Sequence, residues 1–236
     1  MSVAAVEGLS ACDVTFRYGD VVVLDQESFE VPRGGTLVVT GGNGVGKSTL
    51  LYLCAGLVAA QAGAIRLDGH APDVARPSEL VRKGVRTGFV FQQSGLVSNL
   101  NVVTNVKLAL RYHADVLGLT EEAIEERARE ALDRVRIGES ELYSLPAHLS
   151  FGTRKRVALA RVIALRPNFA FFDDPDAGLD SATSAVVRDL ILAFRDDTTI
   201  TTVVCTNHRL LLDAIGSYPK ELCNGQLLAQ TYGRVE

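Results

Sequence analysis

The segment Gly41-Gly42-Asn43-Gly44-Val45-Gly46-Lys47-Ser48-Thr49 restricts this chain more than any other, because it fits G-x-x-x-x-G-K-[ST]. Glycines let the backbone adopt positive φ and turn successive N–H groups toward an anion. A helix that follows presents its N-terminus to the same anion. Lys47 then has the reach and charge to neutralise phosphate oxygens, and the Ser48 hydroxyl can ligate Mg²⁺. A plain glycine-rich turn does not account for Lys-Ser-Thr at a strand-to-helix junction. That junction is what the flanks predict: residues 36–40 (TLVVT) read as a short buried strand and residues 47–58 as a helix.

A phosphate loop of this kind needs an acidic partner at the end of a second buried strand. Phe169-Ala170-Phe171-Phe172-Asp173-Asp174 supplies one, and a carboxylate there faces the crevice in which open α/β sheets bind ligands. Two adjacent aspartates can also be a solvated turn; the phosphate loop upstream favours the metal-side reading. Residues 89–92 and 200–206 read as further apolar strands, while the first forty residues and residues 64–68 look antiparallel. The expected fold is therefore α/β, with a mostly parallel sheet and an antiparallel β subdomain.

The middle of the chain breaks this alternation. Over residues 101–136, Ile124, Ala128, Ala131, Leu132 and Val135 share one face at helical spacing. Glu121, Glu125, Arg127 and Arg134 occupy the other, and Thr120 is placed to cap the helix. The pattern predicts an inserted α-helical subdomain carried on the core.

Composition excludes several alternatives. The 236 residues are 47% apolar, enough for one large domain and against disorder. With 24 basic against 28 acidic residues the net charge is −4, so a dedicated nucleic-acid binder is not expected. Cys12, Cys54, Cys205 and Cys223 are scattered and read as buried reduced thiols. Residues 1–10 lack the basic and apolar regions of a secretory signal. The longest apolar candidate, residues 50–60, is too short to span a bilayer, so a membrane role is expected to come through a partner. His70, His113 and His148 have no chemical context, and Arg154-Lys155-Arg156 reads as a solvated helix face.

Taken together the motifs resemble the ATP-binding cassette (ABC) ATPases over about residues 9–230. Tyr18 sits where the family places an aromatic residue that stacks on adenine, and Gln92 matches the Q-loop glutamine. Leu149-Ser150-Phe151-Gly152-Thr153 lies where the signature L-S-G-G-Q belongs, followed by a match to the signature helix through Arg161. Asp173 matches the Walker B aspartate, Asp174 falls on the catalytic glutamate position, Ala177-Gly178-Leu179-Asp180 matches the D-loop, and His208 matches the switch histidine. The phosphate loop alone fits kinases or GTPases too; the signature-like segment selects the ABC class.

The resemblance implies a P-loop (RecA-like) core with its β subdomain over residues 1–92 and 154–236. The helical subdomain then covers about 93–153 and ends in the signature. It implies ATP and Mg²⁺ as cofactors, with Lys47, Gln92, Asp174 and His208 catalytic, and Ser48, Gln92 and Asp173 around the metal. Ser150, Phe151, Gly152 and Thr153 would contact the ATP of an opposing subunit, with Asp180 at the D-loop. The partners implied are a second cassette and transmembrane permease subunits, at the cytoplasmic face of the inner membrane. Two positions depart from the pattern. Asp174 is one methylene shorter than glutamate, and Phe151 replaces the first signature glycine, so good ATP binding with slow or partner-dependent hydrolysis is expected.

Phe91-Gln92-Gln93-Ser94-Gly95 with the residues through Val102, then Thr104-Asn105-Val106 and Leu108-Ala109-Leu110-Arg111, resemble the Q-loop region of ATPases serving MCE-type (Mla-like) lipid transporters. An MCE-type substrate-binding protein would then be a partner. Lipoprotein-releasing and other small importers and exporters share parts of this stretch. Leu96, Val97 and Leu100 either line a groove for a coupling helix or are core residues. A regulatory or structural subunit that scarcely hydrolyses ATP, and a soluble ABC ATPase of DNA repair or translation, are the competing readings.

Overall fold

A computed structural model describes residues 7–216 and 219–229. Its central sheet has six strands in the order β5-β6-β7-β3-β8-β9. These are β3 (Thr36–Thr40), β5 (Thr87–Val90), β6 (Phe169–Asp173), β7 (Thr201–Cys205), β8 (Lys220–Cys223) and β9 (Gln226–Ala229). All pairings are parallel except β8 with β9. Every residue of β6 and β7 is buried, as the unbroken apolar runs require of strands covered on both faces.

The strand period of two divides the core. Val38, Val90, Ala170, Phe172 and Val204 point to one cluster, and Leu37, Val39, Phe169, Phe171, Val203 and Cys205 to the other. Each fully buried Phe or Val contributes roughly 1.5–3 kcal/mol of transfer free energy. The second cluster is closed by a three-stranded antiparallel sheet, order β2-β1-β4, from β1 (Gly8–Tyr18), β2 (Val21–Pro32) and β4 (Ala62–Leu67). Helix α1 (Lys47–Cys54) packs between the two sheets. It is shorter than the predicted 47–58 because Gly56 turns left-handed at φ +73° and ends the helical ladder.

The first cluster is covered by helices. After α2 (Ser78–Arg82) and β5 come α3 (Val102–Tyr112), α4 (Ala114–Leu117), α5 (Glu121–Arg134) and α6 (Phe151–Leu165). The predicted helical stretch 101–136 is thus three helices, interrupted at His113 and at residues 118–120. Asn101 caps α3 by accepting from the Thr104 N–H, and Thr120 caps α5 through Ala123. All five residues of the expected apolar face, from Ile124 to Val135, are buried. Helix α7 (Ser181–Asp196) and α8 (Arg209–Ile215) complete the core.

Two strand bounds differ from expectation. Residues 89–92 were expected in a strand that instead runs Thr87–Val90, pairing register by register with β6 until Phe91 and Gln92 leave the sheet. Residues 200–206 contract to Thr201–Cys205. The thiols also differ: Cys54 and Cys205 are buried, but Cys12 is exposed and Cys223 half-buried, and all four are free. Residues 1–6, where no leader is expected, and Gln230, the end of the family resemblance, lie outside the described residues. Among the described residues no helix is long and apolar enough to cross a membrane.

Candidate functional site

The phosphate loop leaves the C-terminal end of β3 and enters α1 through Gly46, whose φ is +107°. A Cβ there would stand 2.3 Å from Val23 Cγ1 of β2, in a backbone conformation that side-chain-bearing residues rarely adopt, so glycine fits both the turn and the packing. No side chain caps α1, and its first turn holds no acidic residue. Its orphan N–H groups therefore have only a bound anion or water to satisfy them. Lys47 is 7% exposed, and its Nζ donates to the carbonyls of Gly41 and Gly42 at 2.9 Å each. The ammonium is thus seated over the loop that it would share with a phosphate.

Ser48 lies on α1's first turn, where its Oγ donates to Asp173 Oδ1 at 3.0 Å. Asp173 ends β6 and is buried. Burial pushes its carboxyl up; the Ser48 hydrogen bond lowers it, the Asp174 charge raises it, and Lys155 and Lys47 lower it. A buried carboxylate touching a hydroxyl is an oxygen pair of the kind that fits a hard divalent cation. Gln92 is exposed and contributes its carbonyl to another contact, described below.

Asp174 follows in the left-handed region at φ +39°, held by its N–H donating to the Cys205 carbonyl at 2.9 Å. Asp180 caps α7, accepting from the Thr183 N–H at 2.9 Å and Oγ1 at 2.7 Å. Those two bonds hold its carboxyl below the usual range. Tyr18 ends β1 and is 55% exposed, its ring in a T-shaped contact with that of Phe16 at 4.9 Å between centroids.

The signature residues stand at the start of α6. Ser150 is the helix cap, accepting from the Thr153 N–H at 3.0 Å, and its hydroxyl also donates to Thr153 Oγ1. Phe151 is half-buried, with Arg154 5.8 Å and Lys155 5.7 Å from its ring centroid. Gly152 is buried at the first turn. Among the described residues no hydrogen bond joins Ser150, Phe151, Gly152 or Thr153 to the phosphate loop.

Three residues near the site escape a reading of the sequence. Asn207, before His208, grips Gly41 from both sides: its Oδ1 accepts from the Gly41 N–H at 3.2 Å and its Nδ2 donates to the Gly41 carbonyl at 2.8 Å. Asp176 lies against His208. Lys155 overturns the expectation of a solvated basic face, for it is fully buried and its Nζ donates to the carbonyls of Phe91 at 3.0 Å and Gln92 at 2.7 Å. Burial pulls its ammonium down to about 8, against the raising charges of Asp173, Asp174 and Asp176. Six residues further along the helix, Arg161 donates to the carbonyls of Gly95 at 2.9 Å and Ser94 at 3.3 Å. Helix α6 thus holds the segment after β5 at four carbonyls. The buried Asn105 holds the next part, bonding Val97 and Leu100, with Val97 exposed and Leu96 half-buried against the helical core.

A cavity of about 610 Å³ lies elsewhere. In its lining, Arg86, Asn168 and Ile200 immediately precede strands β5, β6 and β7, and Arg33 comes three residues before β3, so it lies at the N-terminal end of the sheet. The phosphate loop and His208 follow strand C-termini and Asp173 is the last residue of β6, all at the end at which open parallel sheets bind ligands.

Residues 24–177 match the ABC transporter family. The chain is 35% identical over 195 residues to the sulfate/thiosulfate import ATP-binding protein CysA of Bacillus cereus, an alignment covering 82% of this chain and 53% of that protein. It spans about half the length of such relatives. To the intermembrane phospholipid transport system ATP-binding protein MlaF of Escherichia coli it is 34% identical over 196 residues, covering 83% and 71%. Its fold is similar to the dimeric post-hydrolysis state of the ATP-binding cassette MJ0796 bound to ADP and Pi. There the TM-score is 0.81 at 26% identity, over 93% of this chain and 96% of that one. The chain belongs to the ABC transporter family, as one of its ATP-binding cassettes.

Proposed function

We propose that this protein binds ATP at its phosphate loop, hydrolyses it slowly, and couples that cycle to transport through separate transmembrane subunits. The observation that carries the reading is the junction of β3, α1 and β6. There an uncapped helix N-terminus, the seated Lys47 and the Ser48–Asp173 pair converge. Tyr18 stacks on the adenine; Gly41, Gly42, Asn43, Gly44, Val45, Gly46 and Thr49 wrap the phosphates with Lys47. Mg²⁺, held by Ser48 and Asp173 with Gln92, would neutralise charge on the β- and γ-phosphates. Asp174 and His208 orient the attacking water, so catalysis is mainly positioning and electrostatic stabilisation.

A second cassette completes the site, its Ser150, Phe151, Gly152 and Thr153 closing on the γ-phosphate. The exposed Ser150 and the dimeric MJ0796 cassette support that arrangement. The permease holds the pair at the cytoplasmic face of the membrane. MlaF, named for phospholipid transport, supports a phospholipid cargo and an MCE-type partner, together with the stretch from Phe91 to Val102; CysA, named for sulfate import, supports an anion instead. Co-purification with the permease and extraction of bound lipid separates the two.

The test is steady-state ATPase of the cassette alone and with its membrane partner, beside Asp174→Glu. The added methylene restores reach toward the water, and kcat is expected to rise about 10- to 100-fold, by the sensitivity of such steps to displacements near 1 Å. Fast turnover by the unmodified cassette, unchanged in Asp174→Glu, would overturn slow hydrolysis. ATP-dependent dimerisation with no turnover under either condition would instead favour a regulatory subunit, the reading that Asp174 and Phe151 support.

A further inference from the structure

The Asp176 side chain is completely buried, and its Oδ2 lies 2.6 Å from Nδ1 of His208. Asp176 stands in the turn between β6 and α7, and His208 in the turn between β7 and α8, so the pair bridges two loops at the nucleotide end of the sheet. Asp176 Oδ1 has no hydrogen-bond partner, and the contact at Oδ2, although close, is not directed as a regular hydrogen bond. The imidazole is therefore the near polar neighbour of a carboxylate that has lost its water.

A buried carboxylate is costly unless a donor faces it. Burial pushes the Asp176 carboxyl up, the neighbouring His208 pulls it down, and the Asp174 charge raises it again. Lys155 is the other cation that senses this carboxylate. The contact is favourable only when His208 Nδ1 carries a proton. In the singly protonated ring that proton leaves a lone pair at Nε2; in the doubly protonated ring Nε2 is a second donor. The His208 side chain is 44% exposed, and it stands at the same end of the sheet as the phosphate loop.

We propose that Asp176 is a positioning residue for His208, holding the ring through Nδ1 so that Nε2 faces the γ-phosphate and the attacking water. The pair takes over part of the water's orientation that the short Asp174 carboxylate leaves undone. No bond is made or broken at Asp176. In the singly protonated ring Nε2 accepts from the water O–H, and in the doubly protonated ring it donates to a phosphate oxygen. The proposal rests on the ATPase reading above for its kinetic part alone.

Asp176→Asn keeps the volume and a carbonyl acceptor but removes the charge, and its amide can also turn an N–H toward the ring. Two measurements test it. In protein labelled with ¹⁵N-histidine and free of nucleotide, the His208 ring, assigned by its loss in His208→Gln, is expected to carry its proton at Nδ1. In Asp176→Asn that ring is expected to move toward the Nε2–H tautomer. In steady-state ATPase, Asp176→Asn is expected to lower kcat about tenfold or more with KM for ATP within about twofold, as for a misplaced orienting group. An Nε2–H ring in the unmodified protein, or a kcat that Asp176→Asn leaves alone, overturns the proposal. A cassette without turnover removes the ATPase reading, while the ring signals still decide the pairing.

Discussion

Lys47→Ala is expected to yield a folded cassette that hydrolyses ATP at least about 10²–10³-fold more slowly, the usual loss when a preorganised electrostatic donor to the reacting group is removed. Two effects add. The ammonium's charge is gone from the phosphates, and the carbonyls of Gly41 and Gly42 lose the group that now holds them. Asn207 still grips Gly41 from the other side, so the loop keeps one anchor and the chain keeps its fold. Titration with a fluorescent ATP analogue, followed by single-turnover hydrolysis, separates weaker binding from slower chemistry. Turnover within about threefold of the unmodified protein, under saturating ATP, would show that Lys47 does not serve the reaction.

Lys155→Met is expected to cost roughly 1–3 kcal/mol of stability at pH 7, because it takes the donor away from the part-buried carbonyls of Phe91 and Gln92. Relief of the ammonium's own burial offsets part of that loss. The difference between the two proteins should also depend on pH in a defined sense. Lys155 is pulled down from 10.5 to about 8 in the folded chain, so between those values the unfolded chain binds more protons. Its contribution to stability therefore rises from pH 8 to 10.5 and is level below that window. Methionine does not titrate, so the unmodified protein should gain on Lys155→Met as the pH climbs. Urea unfolding of both proteins at pH 7, 8, 9 and 10 measures this, and a difference that shrinks across the window would contradict it.

Much of the architecture was legible where the signal is local. Residues 36–40 and 169–173 are short apolar runs ending at chemistry-bearing residues, and both strands have the expected bounds. Thr120 announced its helix because capping is decided within one turn. The breaks at His113 and residues 118–120 were not legible, since apolar periodicity continues past them in the neighbouring helices. Phe91 looked like strand for being apolar, although Lys155 draws its carbonyl out of the sheet ladder.

The site divides in the same way. The phosphate loop stands out because its spacing is itself a geometry, Asp173 because it ends an apolar strand, and His208 through the family resemblance after such a strand. Lys155, Asp176 and Asn207 act across 64, 32 and 166 positions of sequence, and nothing local distinguishes them from surface residues. For Asp176 the one available signal was a carboxylate in a stretch otherwise made of Ala, Gly and Leu before the D-loop aspartate.

Helix α6 starts at the signature and ends in the core, its 15 residues spanning about 22 Å. Because Lys155 and Arg161 fasten four carbonyls of the segment after β5 to it, helix and segment make one stiff rod with the signature at its tip. A tilt of only about 10° about the far end of such a rod carries Ser150 through about 4 Å, by the helical rise alone. The distance that separates a made phosphate contact from a lost one is thus reached by a small shift at the base, and the gain is set by the length of a single helix.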